Sequence, residues 1–446
     1  MHLGRLALAG CATALATVAL LPPPATAAGT AHGAGAGRGS GSDPARAVLP
    51  ARDGWGAAEG GVTGGSEARR GHDITVSTRA ELADALARTG DEPTIIRIDG
   101  TIDANTDDAG NPLGCDDYAT DGYSLDAYLA AYDPATWGRD DPSGPLEEAR
   151  AASAALQKER VVLPVGSNTT IIGADDDARL LGATLDVRGA DNVIVRNLTF
   201  EDSFDCFPQW DPTDGEFGEW NSEYDSLVLY GSTHVWVDHN TFTDGRRPDA
   251  EQPRYFGRLF QQHDGQLDIV RGADLVTASW NVFTEHDKTI LIGNSDGASA
   301  DDRGRLRATF HHNLFHNVTE RAPRVRYGQV DVYSNHFRQD EGAAYGYSFG
   351  IGIESALVAE YNAFTLPDGL GAADTVHRWT PGTSMTARGN WVNHRPADLV
   401  AAHNAANPDA PLGDDAGWRP ELRRQVTHPV AVPFVVDHWA GAGRLR

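Results

Sequence analysis

The feature that most restricts the fold of this chain is a strand ending that recurs. Seven short stretches close alike: VIVRNLTF (193–200), VWVDHNTF (235–242), VTASWNVF (276–283), ATFHHNLF (308–315), VDVYSNHF (330–337), LVAEYNAF (357–364) and MTARGNWV (385–392). Six carry asparagine two places before the end, at Asn240, Asn281, Asn313, Asn335, Asn362 and Asn390. The ends are spaced by 42, 41, 32, 22, 27 and 28 residues. Strand-built repeats of that length mark a solenoid. The shortest interval holds one coil of about three short strands at roughly 3.3 Å per residue, and the longer ones leave room for loops. Stacked coils also explain the shared asparagine, because side-chain amides at equivalent turns can hydrogen-bond from coil to coil. A β-sandwich accounts for short strands but not for one common ending. The expected fold is therefore all-β, a parallel β-helix with peripheral loops and short N-terminal helices.

Two helices are predicted before the repeats. Thr78 is a candidate N-cap with Glu81 three positions on, and Leu82, Ala85 and Leu86 share one face. A second helix is expected from Pro145 to Arg160, with proline in its first turn and an alanine-rich interior. Residues 1–27 read as a signal peptide: Arg5, the apolar run Leu6 to Leu21, and the small-residue site Ala25-Thr26-Ala27. The short apolar core and Pro22-Pro23-Pro24 count against a membrane anchor, and no later segment approaches the roughly 20 apolar residues of a spanning helix. Residues 28–50, rich in Gly, Ala and Ser, are expected to be a disordered leader, and residues 51–446 one domain. Export makes Cys115 and Cys206 a candidate disulfide, two buried thiols being the alternative. The net charge of −26 argues against a nucleic-acid partner and favours a self-repelling monomer.

Three clusters carry candidate chemistry: WNSEYDSL (220–227), QHDGQLD (262–268), and Asp287-Lys288 with TERAPRVRYGQV (319–330). In a stacked solenoid these distant segments become neighbours. Asp225, Asp264 and Asp268 offer the hard oxygens that calcium takes at about 2.3–2.6 Å. A lone aspartate in so acidic a chain would be ordinary solvated surface; three opposite a cationic cluster are not. Zinc is the weaker reading, because His311 and His312 should point to opposite faces of a strand and have no suitably spaced partners. Arginine forks suit carboxylates, so Arg321, Arg324 and Arg326 point to an acidic ligand. An internal salt-bridge network is the competing explanation.

With those motifs in view, the chain resembles the pectate lyases of polysaccharide lyase family 1 over residues 54 to 365. VIVRNLTFED, FPQWDPTDG, WNSEYDSL, VWVDHNTFTDG, HDGQLDI, HDKTILIGNSD and RAPRVRYGQVDVYSN follow in the family's order. The resemblance implies a right-handed parallel β-helix, secretion, and calcium-dependent β-elimination of polygalacturonate. It makes Asp225, Asp264 and Asp268 the calcium ligands, Arg321 the base, and Lys288 and Arg326 the residues that hold substrate carboxylates. Asp238 and His239 match a motif beside the site and are read as structural, while Glu223 sits where only some members ligate calcium. An arginine base conflicts with its usual pKa above 12. The expected remedy is local: Lys288, Arg326 and calcium would disfavour the charged form of Arg321, giving an alkaline optimum. The rivals are a pectin lyase acting on methylated chains and a non-catalytic β-helix that binds acidic glycans.

Overall fold

The computed structural model describes residues 43–445. The expected signal peptide and most of the expected leader lie outside them. From Thr169 onward each coil visits three parallel sheets in turn. One coil runs Asp274–Ser279, Val282–Lys288 and Leu291–Ile292, and the next runs Ala308–His311, Leu314–Glu320 and Arg324–Val325. In that order, sheets I and II have ten strands each and sheet III has eight; neighbours are successive coils except at the end of sheet II, where Arg395–Pro396 pairs antiparallel with Trp391–Val392. The parallel β-helix expected from the repeats is the observed fold.

The asparagines explain how the coils keep register. Each sits, fully buried, at the corner between sheets I and II. Asn240 Nδ2 donates to Asn281 Oδ1 at 3.1 Å, Asn281 to Asn313 at 3.0 Å, Asn313 to Asn335 at 2.9 Å, and Asn335 to Asn362 and Asn362 to Asn390 at 3.1 Å. Each Oδ1 also accepts the backbone N–H of the preceding coil's asparagine, so the turn amides are satisfied without water. The first repeat breaks the pattern. Leu198 stands in the asparagine position and its N–H donates to Asn240 Oδ1 at 3.1 Å, so the ladder starts there. Two residues on, Phe200, Phe242, Phe283, Phe315, Phe337 and Phe364 stack with centroids 4.5–5.1 Å apart.

Both ends of this column are covered. The first helix forms at Arg79–Leu86, with Thr78 Oγ1 accepting from Glu81 N and Leu82, Ala85 and Leu86 buried; the Glu81 side chain reaches back to Ser77 N rather than to Thr78. At the far end the helix Leu399–Ala406 sends Leu399 and Val400 into the same core. Beyond it the chain runs back along the solenoid, Arg423 pairing with Asp331 and Gly443 N donating to Asn197. The segment 43–50, expected to belong to the leader, is packed. Ala45 is fully buried, Arg196 donates to Pro44 O, and Arg97 pairs with Asp43, because Ala45 and Leu49 supply apolar cover for the outer face of sheet I. The folded body therefore begins no later than residue 43.

Candidate active site

The two longest intervals of the repeat open at the corner between sheets II and III. Residues 202–226 and 244–266 emerge there, and the helices Cys115–Tyr118, Leu125–Ala131, Pro134–Trp137 and Pro145–Val161 stand beside them. An aromatic cluster of Tyr128, Tyr132, Trp210, Trp220 and Phe260 joins these loops to the helices. The Cys115–Cys206 disulfide closes the same junction. Together they wall a groove of about 560 Å³ lined by Asp264, Asp268, Lys288, Glu320 and Arg321 on the solenoid side and by Arg254, Arg258 and Gln261 on the loop side.

Successive coils place the solenoid side. Asp225 precedes the strand Leu227–Tyr230, which pairs with Leu267–Val270, where Val228 lies opposite Asp268. Lys288 and Glu320 are opposite one another on the next two coils, and Arg321 follows. Arg321 takes φ +59°, which turns it out of the strand at the corner. Lys288 Nζ lies 2.9 Å from Asp264 Oδ1, and Arg321 Nε donates to Glu320 Oε1 at 2.9 Å.

The acidic side has the character of a cation cradle. Gly265 N donates to Asp225 Oδ1 at 2.7 Å and Leu291 N to Asp268 Oδ1 at 3.1 Å, which fixes both carboxylates. The same two oxygens lie 2.8 and 2.4 Å from the point a Cβ on Gly265 would occupy, so only glycine leaves that space open. Burial, Asp268 and Asp264 push the Asp225 carboxyl well above its usual range; burial and Asp264 push Asp268 up to about 7. Like charges this close and this dry need a proton or a cation, and an all-oxygen set suits calcium.

The cations take arrangements that the sequence did not foresee. Burial works against the charge on Arg321, but Glu320, Tyr347, Asp264 and Asp268 outweigh it and raise its pKa. The arginine that the crowd lowers is Arg324, to about 10, through burial and the neighbouring Arg326; it lies over the Trp379 ring at 4.0 Å. Arg326 is turned away from the groove lining, with Nε on Asp296 at 2.7 Å and Nη1 on Gly293 O at 2.9 Å. Glu223 is exposed and pairs with Lys158. Asp238 is buried on sheet I between Arg196, His239 and Ser279, outside the groove lining. His311 and His312 do not point apart as expected: their Nδ1 atoms are 2.9 Å from each other, because His312 turns the corner at φ +56°.

Sequence reasoning assigned no role to Glu320, Asp287, Gln261, Arg254 or Arg258. The first two flank the motif residues and could have been found there. The loop-side arginines could not, since nothing local says that Arg254–Tyr255 and Arg258–Leu259 form a hairpin folded over the groove.

The family profile described as "Pectate lyase" matches residues 143–409. A pectate lyase of Bacillus subtilis is 44% identical over 403 residues, 90% of this chain and 94% of that one. The chain belongs to the pectate lyase family. Pectate lyase E of Dickeya dadantii is 38% identical over 324 residues, covering 72% of this chain and 69% of its own. Among solved structures, a pectate lyase bound to a hexasaccharide superimposes with a TM-score of 0.86 at 43% identity, over 91% of this chain and 100% of that one. The thermostable pectate lyase PL 47 gives 0.88 at 44% identity, with the same coverage. This protein is accordingly a polysaccharide lyase of the family, built on the family's β-helix.

Proposed function

We propose that the protein is a secreted, calcium-dependent pectate lyase that cleaves polygalacturonate by β-elimination into unsaturated oligogalacturonides. The observation that carries this reading is the meeting of Asp264 and Asp268 with Lys288 and Arg321 in one groove, with Asp225 buried beside them. Asp225, Asp264 and Asp268 would hold the ion, which when bound supplies positive charge against the C6 carboxylate of a galacturonate.

The chain's own residues do the rest. Burial opposes the charge on Lys288, but Asp264 outweighs it and keeps the ammonium charged; Lys288 would take a substrate carboxylate, with Arg326 as a second holder once released from Asp296. Arg321 would accept the proton from C5. The electrons of the C5–H bond become the C4–C5 double bond, the C4–O4 bond breaks, and the departing oxygen takes a proton from water. Charge developing on the carboxylate in this step is what the cationic side stabilises. Arg321 must lose a proton first. Two of the four groups that hold its proton are Asp264 and Asp268, and a divalent ion on those carboxylates would cancel their pull.

The test is ultraviolet absorbance of the unsaturated product from polygalacturonate, with and without a chelator. Absorbance that rises in calcium and stops on chelation is expected. No product in calcium defeats the lyase reading, and product that survives chelation moves it to a pectin lyase. Export is tested separately by the N-terminal sequence of protein recovered from culture medium, which should begin after Ala27.

A further inference from the structure

Beneath the loop 244–251, separate from the Asp225–Asp264–Asp268 trio, lies a second set of buried donors. Asp244, Asp249 and His263 are 3, 5 and 2% exposed, and each offers one atom to a set whose members all lie within 4.8 Å of one another. His263 Nδ1 is 2.8 Å from Asp249 Oδ1 and 3.8 Å from Asp244 Oδ2. Asp244 Oδ2 and Asp249 Oδ2 are buried and accept no hydrogen bond. Both aspartates also line a hollow of about 460 Å³ that opens from the groove's edge, which gives an ion a way in.

The surroundings fix each donor in the way a metal site requires. Asp202, held ionised between Arg246 and Arg247 at 2.7 and 2.9 Å, can only accept at its contact with His263 Nε2 at 3.1 Å. His263 Nε2 therefore keeps its proton, and the proton on Nδ1, which faces two carboxylates, is the one a metal displaces. Nothing but a proton or a cation is stable between them. The carboxylate that orients the far nitrogen of a ligating histidine is a general companion of such sites. His286 does the same for Asp244, with Nδ1 2.6 Å from Oδ1, which leaves Oδ2 free. Metal–nitrogen and metal–oxygen bonds of about 2.0–2.2 Å place adjacent ligand atoms roughly 2.8–3.5 Å apart, which the His263–Asp249 separation already meets.

We propose that Asp244, Asp249 and His263 form a second metal site, selective for a first-row divalent ion of the Zn²⁺ class rather than calcium. The imidazole nitrogen decides the class, since calcium takes oxygen and Zn²⁺ takes nitrogen with carboxylate. Bound there, the ion pins the loop carrying Asp244 and Asp249 to the segment that carries Asp264.

Cobalt is the probe, added to the untagged full chain in excess calcium so that the trio is occupied. One equivalent of Co²⁺ per chain, with visible d–d bands that Zn²⁺ abolishes, is expected. Asp249→Asn should lose those bands, while Asp268→Asn should keep them. No bands in the wild type, or bands unchanged in Asp249→Asn, overturns the site. Should Asp249→Asn fail to fold, X-ray absorption on Zn²⁺-loaded wild type decides: imidazole outer-shell scattering supports the site and an all-oxygen shell removes it. Both readouts are independent of lyase turnover, so loss of this site leaves the proposed activity standing.

Discussion

Two carboxylate clusters meet at the seven residues from Gln262 to Asp268, and they solve the same electrostatic problem differently. Asp202, Asp244 and Asp249 are answered by His263, His286, Arg246 and Arg247, so the chain supplies its own positive charge. Asp225, Asp264 and Asp268 face Lys288 and, further off, Arg321, and two of the three are pushed far up in pKa. Charge left unanswered, rather than the number of carboxylates, separates a site that needs a cation from one that a proton satisfies until a metal displaces it. A proton is the default occupant of the first cluster. The second is stable only with a cation or at the cost of protonation.

That contrast is broken most decisively by neutralising one member of each cluster. Asp268→Asn should lower lyase turnover roughly a thousandfold, the size of the charge stabilisation a bound cation supplies, while raising the unfolding midpoint of chelator-treated protein, because a repelling charge is gone. Turnover that survives would mean the trio is not the ion's seat. Arg321→Lys should cost about 10²–10⁴ in turnover with no change in the midpoint; a coupled loss of both would make Arg321 structural. Asp244→Asn should do the opposite of Asp268→Asn, lowering stability by about 1–3 kcal/mol as His286 loses its partner, measured by denaturant unfolding.

The clusters should also differ in the sign of their pH response. Asp268 sits near 7, above its unfolded value, so calcium must displace a proton below that pH. Calcium affinity by calorimetry should fall by up to about tenfold per pH unit as pH drops below about 7, and flat affinity would refute the assignment. Burial opposes the charge on His263, but Asp244, Asp202 and Asp249 outweigh it and raise its pKa to about 10, so it is protonated more readily folded than unfolded. Its stabilisation is complete below about 6.5 and is lost as pH rises through about 10, which denaturant midpoints measured across that window would show. The smallest effect on turnover is expected from Asn335→Ala. It removes one rung of the ladder and should cost about 1–3 kcal/mol of stability while leaving turnover nearly unchanged.

The course of the solenoid was legible because its determinants are local and repeat. A buried asparagine must find partners, and on a stacked corner its partner is another asparagine, so the spacing of Asn240 to Asn390 is enough to mark six successive coils. Asp225, Asp264, Asp268, Lys288 and Arg321 lie in a strand or within three residues of one, and their separate roles were legible only through the motifs' resemblance to the family. Loops carry no such period. Arg254 and Arg258 reach the groove through a hairpin resting on Trp210 and Trp220, contacts set by packing at long sequence distance. The backward run of the C-terminal segment to Asn197, and the inclusion of Asp43 to Pro50 in the body, arise in the same way.

Charge states were settled later still. The sequence alone determined that three carboxylates and several cations would share one face, because residue type and repeat position suffice for that. Only the tertiary structure decided that Glu320 keeps Arg321 charged, that Asp296 engages Arg326, and that Arg324 is the arginine weakened by its neighbours. A pKa depends on distances of a few ångströms and on how dry each group is, and neither is written in the order of the residues.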